Sequence, residues 1–482
     1  MIQKEGKTKT INRHKERRVL MRIIIDLQGA QSESRFRGIG RYSISLAKAI
    51  VRNRGTHEFF ILLNELFPDT IEEIRESFTG ILPKHHIMVF GAVGPVNELN
   101  IKNEWRVLAS ELLREKLIKD LDPDILLVSS LFEGATNNTI SSVGKLFPEI
   151  QTAVIFYDLI PLLYPKTYLA GGSAKKWYYR KLEFLKQADL LLAISKSAQK
   201  EAIEQLGIEE ERIISISSAA DAAFSKVDIS AKTIAMLRTR FGIQRSFLMF
   251  TSVFEPRKNF EGLIKAFGLL PIALRKEYQL VLVCNLSNEQ RKVLRNVAAK
   301  AGLDQDDLVL PGYVSDEELL ILYSSCHLFV FPSFHEGFGL PALEAMSCGA
   351  ATIGSSTSSI PEVIGREDAL FDPASTESMA CLIERVLTNP LFWQSLKQHA
   401  VNQSRQFSWD KSAIIAISAL EKIYKEKDEE DCNSYLKLID EIARIDSKIK
   451  PTNQDIIITE AAIEHNEKLA YRMKRYFEMT IS

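Results

Sequence analysis

The chain has 482 residues, of which 46% are hydrophobic and 26% charged, enough for two or three domains with their own cores and too apolar for a disordered chain. A formal net charge of -1 excludes a global attraction to nucleic acid or to an anionic membrane, so any such contact needs a local patch. No stretch approaches the roughly 20 uninterrupted apolar residues of a membrane span, and Cys284, Cys326, Cys348, Cys381 and Cys432 show neither metal spacing nor a disulfide framework, which reads as reduced, mostly core thiols.

The first 18 residues carry seven Lys/Arg against two Glu, but no apolar segment of a secretory signal follows. Residues 1–20 read as a disordered basic leader, with a weak tether to anionic lipid as the sharper alternative. Short runs rich in Ile, Leu and Val then alternate with segments of helical period. They predict strands at 19–26, 58–63, 124–130, 152–158, 190–195 and 212–217, and again at 246–252, 279–285, 307–312, 327–333 and 350–355. Continuous apolar strands alternating with helices predict parallel sheets covered on both faces. The expected class is α/β: two Rossmann-like doubly wound domains, 21–235 and 236–425, plus a helical extension over 426–482. That extension reads as packed on the body, with a docking or oligomer helix pair left open. Ligands of open α/β sheets bind outside the carboxyl ends of the strands, so the site is expected between the domains.

Three motifs fall at such strand ends. RFRGIGRY, after the first strand, offers Gly38 and Gly40 as backbone contacts for a phosphate or sugar, with a simple tight turn an equal reading. VFEPRKNF places Arg257 and Lys258 after a strand and before a helix, where a fork and a point charge can meet a diphosphate; a solvated basic turn is the bland alternative. FPSFHEGFGLPALEAMSCG (331–349) puts Glu336 in a Gly-rich loop, Pro341 at the first helical position and Glu344 in the first helical turn. Acids there would repel a phosphate unless each engages hydroxyls, and a carboxylate accepts two hydroxyl donors at once. A diphosphate held between two polyhydroxylated rings satisfies every part, which describes a nucleotide-diphosphate sugar. An acid that merely complements the helix dipole explains Glu344 but not Glu336 or the glycines.

HEGFGLPALEAMSCG, with FVFPS before it and SSIPEVIG after, resembles the donor-site signature of retaining glycosyltransferase family 4, which has the GT-B fold. GIGRY, YDLIPLLYP, ADLLLAISKSAQKE, EPRKN and PGYVSDEELLILYSSC match the family's other blocks in order, over roughly residues 21–425. The resemblance implies that Glu336 contacts donor-sugar hydroxyls and Glu344 the ribose. Arg257 and Lys258 would neutralise the leaving diphosphate, helped by amides of Gly337, Phe338, Gly339 and Leu340 and by the loop of Gly38 and Gly40. Gly312, Tyr313 and Val314 would line the base pocket, with Cys284 and Asn285 near, and Ser195 would face the cleft.

This sequence departs from the family at Tyr157-Asp158, where many members have His-Asp. Tyrosine cannot serve as a base near neutrality, so Asp158 becomes the candidate for contacting the acceptor hydroxyl. Tyrosine there also resembles a subset building polysaccharides or O-antigen lipopolysaccharide, which tilts the expected donor toward GDP-mannose. The expected reaction is retaining, metal-independent transfer of a hexose to a glycan or glycolipid hydroxyl. No cofactor is expected beyond the donor itself, and no nucleic acid. The triplet Asp122-Pro123-Asp124 and the acids Asp304, Asp306 and Asp307 read as structural. Tyr164, Tyr168, Trp177 and Tyr178 are candidates for an acceptor platform, with core packing the alternative for most. The expected location is cytoplasmic, and peripheral contact with the membrane or with other assembly enzymes stays open. Three alternatives remain: a nucleotide-sugar epimerase of the same fold, a sugar-phosphate synthase, and a non-catalytic nucleotide-binding partner subunit.

Overall fold

The computed structural model describes residues 20–36, 38–144 and 147–424. The extension expected at 426–482, and all but the last residue of the leader, lie outside the described residues. The first sheet contains β1 (Arg22–Asp26), β2 (Glu58–Asn64), β3 (Ile87–Phe90), β4 (Ile125–Val128), β5 (Gln151–Phe156), β6 (Leu190–Ala193) and β7 (Ile213–Ser215). The second contains β8 (Ser246–Thr251), β9 (Tyr278–Val283), β10 (Leu308–Val309), β11 (Leu328–Phe331), β12 (Thr352–Ser355) and β13 (Leu370–Phe371).

Their orders are β3-β2-β1-β4-β5-β6-β7 and β10-β9-β8-β11-β12-β13, so both sheets reverse direction between their first and fourth strands. The paired strands run parallel, with Ile25 opposite Ile61 on one side and Leu127 on the other. β4 and β11 are buried along their whole length, which is why their sequences are unbroken apolar runs. Two strands, β3 and β13, were not predicted. Each lies at an edge: β3 is buried only at its two ends, and β13 is two residues long. Too little apolar pattern marks them.

The helix Trp409–Ile423 leaves the second domain and packs against Gly38–Arg52 of the first. Trp409 meets Tyr42 edge-on with ring centroids 4.9 Å apart, Asn53 Nδ2 donates to Asp410 Oδ1 at 2.8 Å, and His57 Nε2 lies 2.9 Å from Glu421 Oε1. The chain therefore crosses between the domains a second time. Cys284, Cys326 and Cys348 are buried and free, Cys381 is exposed and free, and Cys432 lies outside the described residues. Among the described residues no helix is long and apolar enough to cross a membrane.

Candidate active site in the interdomain cleft

The sheet order explains how distant motifs meet. β8 and β11 are neighbours at the reversal point of the second sheet, so the loops that follow them, 252–259 and 332–339, emerge side by side. Asn259 ties them together: it adopts the left-handed conformation at φ 57°, and its Nδ2 donates to Pro332 O at 3.1 Å and Pro373 O at 2.9 Å. Phe334 N–H adds a bond to Arg257 O at 2.8 Å.

Glu336 is 7% exposed and sits between the two cations. Lys258 Nζ donates to its Oε1 at 2.6 Å and Oε2 at 2.8 Å, and Arg257 Nη1 donates to Oε2 at 2.9 Å. Burial alone would raise the Glu336 carboxyl, but Lys258 and Arg257 outweigh it and hold the pKa below the usual range. Arg257 also donates through Nε to Glu255 Oε2 at 3.0 Å and through Nη1 to His335 O at 2.8 Å. Burial would lower its pKa, yet Glu336 and Glu255 push it above the ordinary guanidinium value. Both cations are therefore aimed by acids before any ligand arrives, and Arg257 is kept charged by them.

Gly339 has φ 108° and caps the helix Leu340–Ser347, a conformation that a side chain would strain. At Gly337 an added Cβ would lie 2.9 Å from Tyr157 O and 3.2 Å from Asp158 Oδ2, so glycine lets the loop touch the first domain. The helix starts one residue earlier than expected, which makes Pro341 its second residue rather than its first. Glu344 is then the fifth residue and not in the first turn, too far along for the helix dipole to explain it. It accepts from Tyr323 Oη at 3.0 Å, and burial raises its pKa to about 7.

Across the cleft, Ser195 Oγ donates to Gly337 O at 2.7 Å while accepting from Ala198 N–H as the cap of Lys196–Leu206. Asp158 Oδ1 accepts from Ile160 N–H at 3.0 Å, and burial raises its pKa. The Tyr157 side chain is turned away from the loop 332–339, the candidate donor loop. Its hydroxyl donates to Ser129 O at 3.0 Å and lies 3.0 Å from Ser43 Oγ, and burial pushes the phenol up. Gly38 opens the first helix, and a Cβ there would lie 3.9 Å from Leu340 of the donor helix. For Gly40 close packing is the reason: a Cβ would fall 2.3 Å from the Arg35 backbone. Phe338 and Val314 are buried, Asn285 is exposed and Tyr313 is 76% exposed.

The acidic triplets have structural work. Asp124 Oδ2 accepts from Arg22 N–H at 2.7 Å, and Asp304 and Asp307 form a capping box, with Asp307 paired to Arg245 at 2.9 Å. Of the four proposed platform aromatics, Tyr178 is only 2% exposed and belongs to the core. Sequence reasoning missed the groups that hold the donor loop. Ser359 Oγ lies 2.9 Å from Glu336 O and 2.7 Å from Phe338 O, Ser358 Oγ accepts from Glu336 N–H at 3.0 Å, and Glu362 Oε2 accepts from Lys196 N–H at 2.9 Å across the cleft. His335 Nε2 lies 3.0 Å from Glu201 Oε1 of the first domain. The SSIPEVIG block was the only signal for the first three.

This arrangement is two doubly wound domains with an anion-directed cation pair at the reversal point of the second, the architecture of GT-B proteins. Residues 238–407, most of the second domain, match the family Glycosyl transferases group 1. The chain is 39% identical to serotype-specific mannosyltransferase WbdA of Escherichia coli over 85% of this chain and 49% of that protein. It is 31% identical to O-antigen chain mannosyltransferase B of Escherichia coli over 49% of this chain and 61% of that one. The chain thus spans about half the length of the curated WbdA relatives it matches. Anabaena Alr3699/HepE, solved with UDP and glucose, superposes with a TM-score of 0.60 at 18% identity over 84% of this chain and 100% of that one, a likeness of fold.

Proposed function

We propose that the chain is a retaining glycosyltransferase that moves mannose from GDP-mannose to a hydroxyl of a growing glycan or glycolipid. The observation that carries this reading is the buried cluster of Lys258, Arg257 and Glu336 beside the start of the helix Leu340–Ser347. Cleaving the anomeric bond leaves positive charge on the sugar and negative charge on the diphosphate. Arg257, Lys258 and the amides of Gly337, Phe338, Gly339 and Leu340 stabilise the second, and Glu336 holds donor-sugar hydroxyls near the first. Glu344 takes the ribose, and Val314 and Tyr313 flank the base with Asn285. Asp158, placed against Gly337, contacts the incoming hydroxyl, which enters on the face the diphosphate leaves. The relatives named as mannosyltransferases support the choice of sugar. A cytoplasmic setting, with peripheral contact to the membrane where glycolipid is assembled, belongs to the same reading.

The test is a thermal-shift comparison of nucleoside diphosphates and their sugars, followed by transfer with the one that binds. GDP at 100 times its Kd is expected to add about 2.7 kcal/mol of stability. The glycoside product, read by NMR, is expected to keep the donor's anomeric configuration. No shift with any nucleotide removes the donor site, and an inverted product removes the same-face mechanism.

A further inference from the structure

Beside Arg257 lies a cavity of about 350 Å³ shared by the two domains, with Tyr164, Thr167 and Tyr168 on one wall and Pro256, Arg257 and Phe334 on the other. Phe334 stands out within it. Its ring is 37% exposed, yet both polar groups of its backbone are pinned, N–H to Arg257 O at 2.8 Å and C=O by Thr357 Oγ1 at 2.7 Å. An aromatic ring left open on a fixed backbone is ready to receive a ligand at little entropic cost. Tyr168 Oη donates to Glu255 Oε2 at 3.0 Å across the cleft, and the Tyr164 ring stands edge-on to His335 with centroids 5.9 Å apart. The opposing rings are thus fixed as well.

The charges of the wall decide what fits. Its one cation is Arg257, already engaged by Glu255, Glu336 and His335 O. In the donor reading this guanidinium serves the diphosphate, so a further phosphate entering here would find no second cation in the wall. A neutral pyranose would lay its C–H face on a ring and pair its hydroxyls with Thr167 and the tyrosines. Arg257, in the wall of this cavity, donates through Nη1 to Glu336 Oε2 at 2.9 Å. We propose that the cavity is the subsite for the terminal, uncharged hexose of the acceptor glycan, with Phe334, Tyr164 and Tyr168 as its platform. The proposal rests on the donor-site reading of Glu336, Arg257 and Lys258.

Saturation-transfer NMR on the full chain, with and without GDP, tests it using an α-linked mannose disaccharide and the same disaccharide phosphorylated on its terminal ring. The neutral disaccharide is expected to bind the parent chain, Phe334→Ala to weaken it about tenfold, and Phe334→Tyr to restore it. The GDP affinity is expected to be the same in all three chains, because the hydrogen bonds that hold Phe334 within its loop are made by its backbone. Unchanged disaccharide affinity in Phe334→Ala, no binding to the parent chain, or tighter binding of the phosphorylated sugar would each overturn the proposal. Failure of the parent chain to bind GDP would instead sink the donor site, and the titration without GDP would still decide the cavity.

Discussion

On the second domain the charged residues at the strand ends converge on the cleft: Arg257 and Lys258 after β8 meet Glu336 after β11, and all three are at least half-buried at its floor. On the first domain the corresponding charges turn inward. Arg114 Nε donates to Asp26 Oδ2 at 2.7 Å, and Lys181 Nζ lies 2.7 Å from Glu98 Oε1, with both cations fully buried. What the first domain presents to the donor loop is a serine hydroxyl, a backbone carbonyl and two carboxyls, those of Ser195, Tyr157, and Asp158 with Glu201. A diphosphate has the same chemistry in every nucleotide sugar, so a charged floor serves it regardless of the sugar. In the proposed reading acceptors differ in shape more than in charge, and the first domain would meet them with rings and hydroxyls.

Two substitutions of similar energy should separate the faces. Arg114→Met strands Asp26 as a buried acid, which is expected to lower stability by about 3–5 kcal/mol while leaving the GDP affinity of the folded protein unchanged; chemical denaturation and calorimetry measure the two. Glu336→Ala is expected to lower transfer by about 10²–10³-fold, since it removes a group that the proposed function puts at the reacting centre. It also leaves Lys258 buried without its carboxylate, so the thermal shift given by GDP should grow relative to the parent chain. If Arg114→Met weakened GDP as much as Glu336→Ala slowed transfer, the division between the faces would collapse.

The same contrast governs what was legible in the sequence. The charged loops of the second domain could be read because acids and cations at strand ends are few and their spacing is short. The aromatic surface could not. Tyr178, in the core, and Tyr164, on the cavity wall, both fall in the aromatic-rich stretch 164–179, and spacing does not tell a buried ring from a waiting one. Nor does local sequence show contacts such as Ser195 to Gly337 or Glu362 to Lys196, which join residues more than a hundred positions apart and exist only once the domains meet. Gly40 is ambiguous for a related reason: a missing side chain that makes room for the Arg35 backbone looks, from sequence, the same as one that makes room for a ligand.

Glu344 offers a finer probe of the donor face. Its pKa is raised by burial from 4.5 to about 7, with Tyr323 and Arg41 pulling it down only in part. The folded chain therefore holds this proton more tightly than the unfolded one. The stabilisation is fully present below pH 4.5, falls as the pH rises toward 7 and is lost above it. Ribose hydroxyls donating to Glu344 would select the ionised form, so GDP affinity should rise about tenfold per unit as the pH approaches 7 from below, then level. Glu344→Gln should flatten both slopes. Calorimetric titrations showing the same pH slope in the Gln variant would remove the ribose role.

Ser195 gives the smallest expected effect and the cleanest division between domain stability and domain closure. Its hydroxyl does two jobs, accepting from Ala198 N–H to cap a helix and donating to Gly337 O across the cleft. Ser195→Ala loses both, about 1 kcal/mol for each. Ser195→Gly keeps most of the cap, since glycine at this position costs a helix only a few tenths of a kcal/mol, but it has no hydroxyl to give Gly337 O. The Gly variant should thus stay near the melting temperature of the parent chain while transfer drops about fivefold or more. Equal transfer in the parent and Gly chains would mean that Ser195 only caps its helix, and that the donor loop is positioned by Ser358 and Ser359 within its own domain.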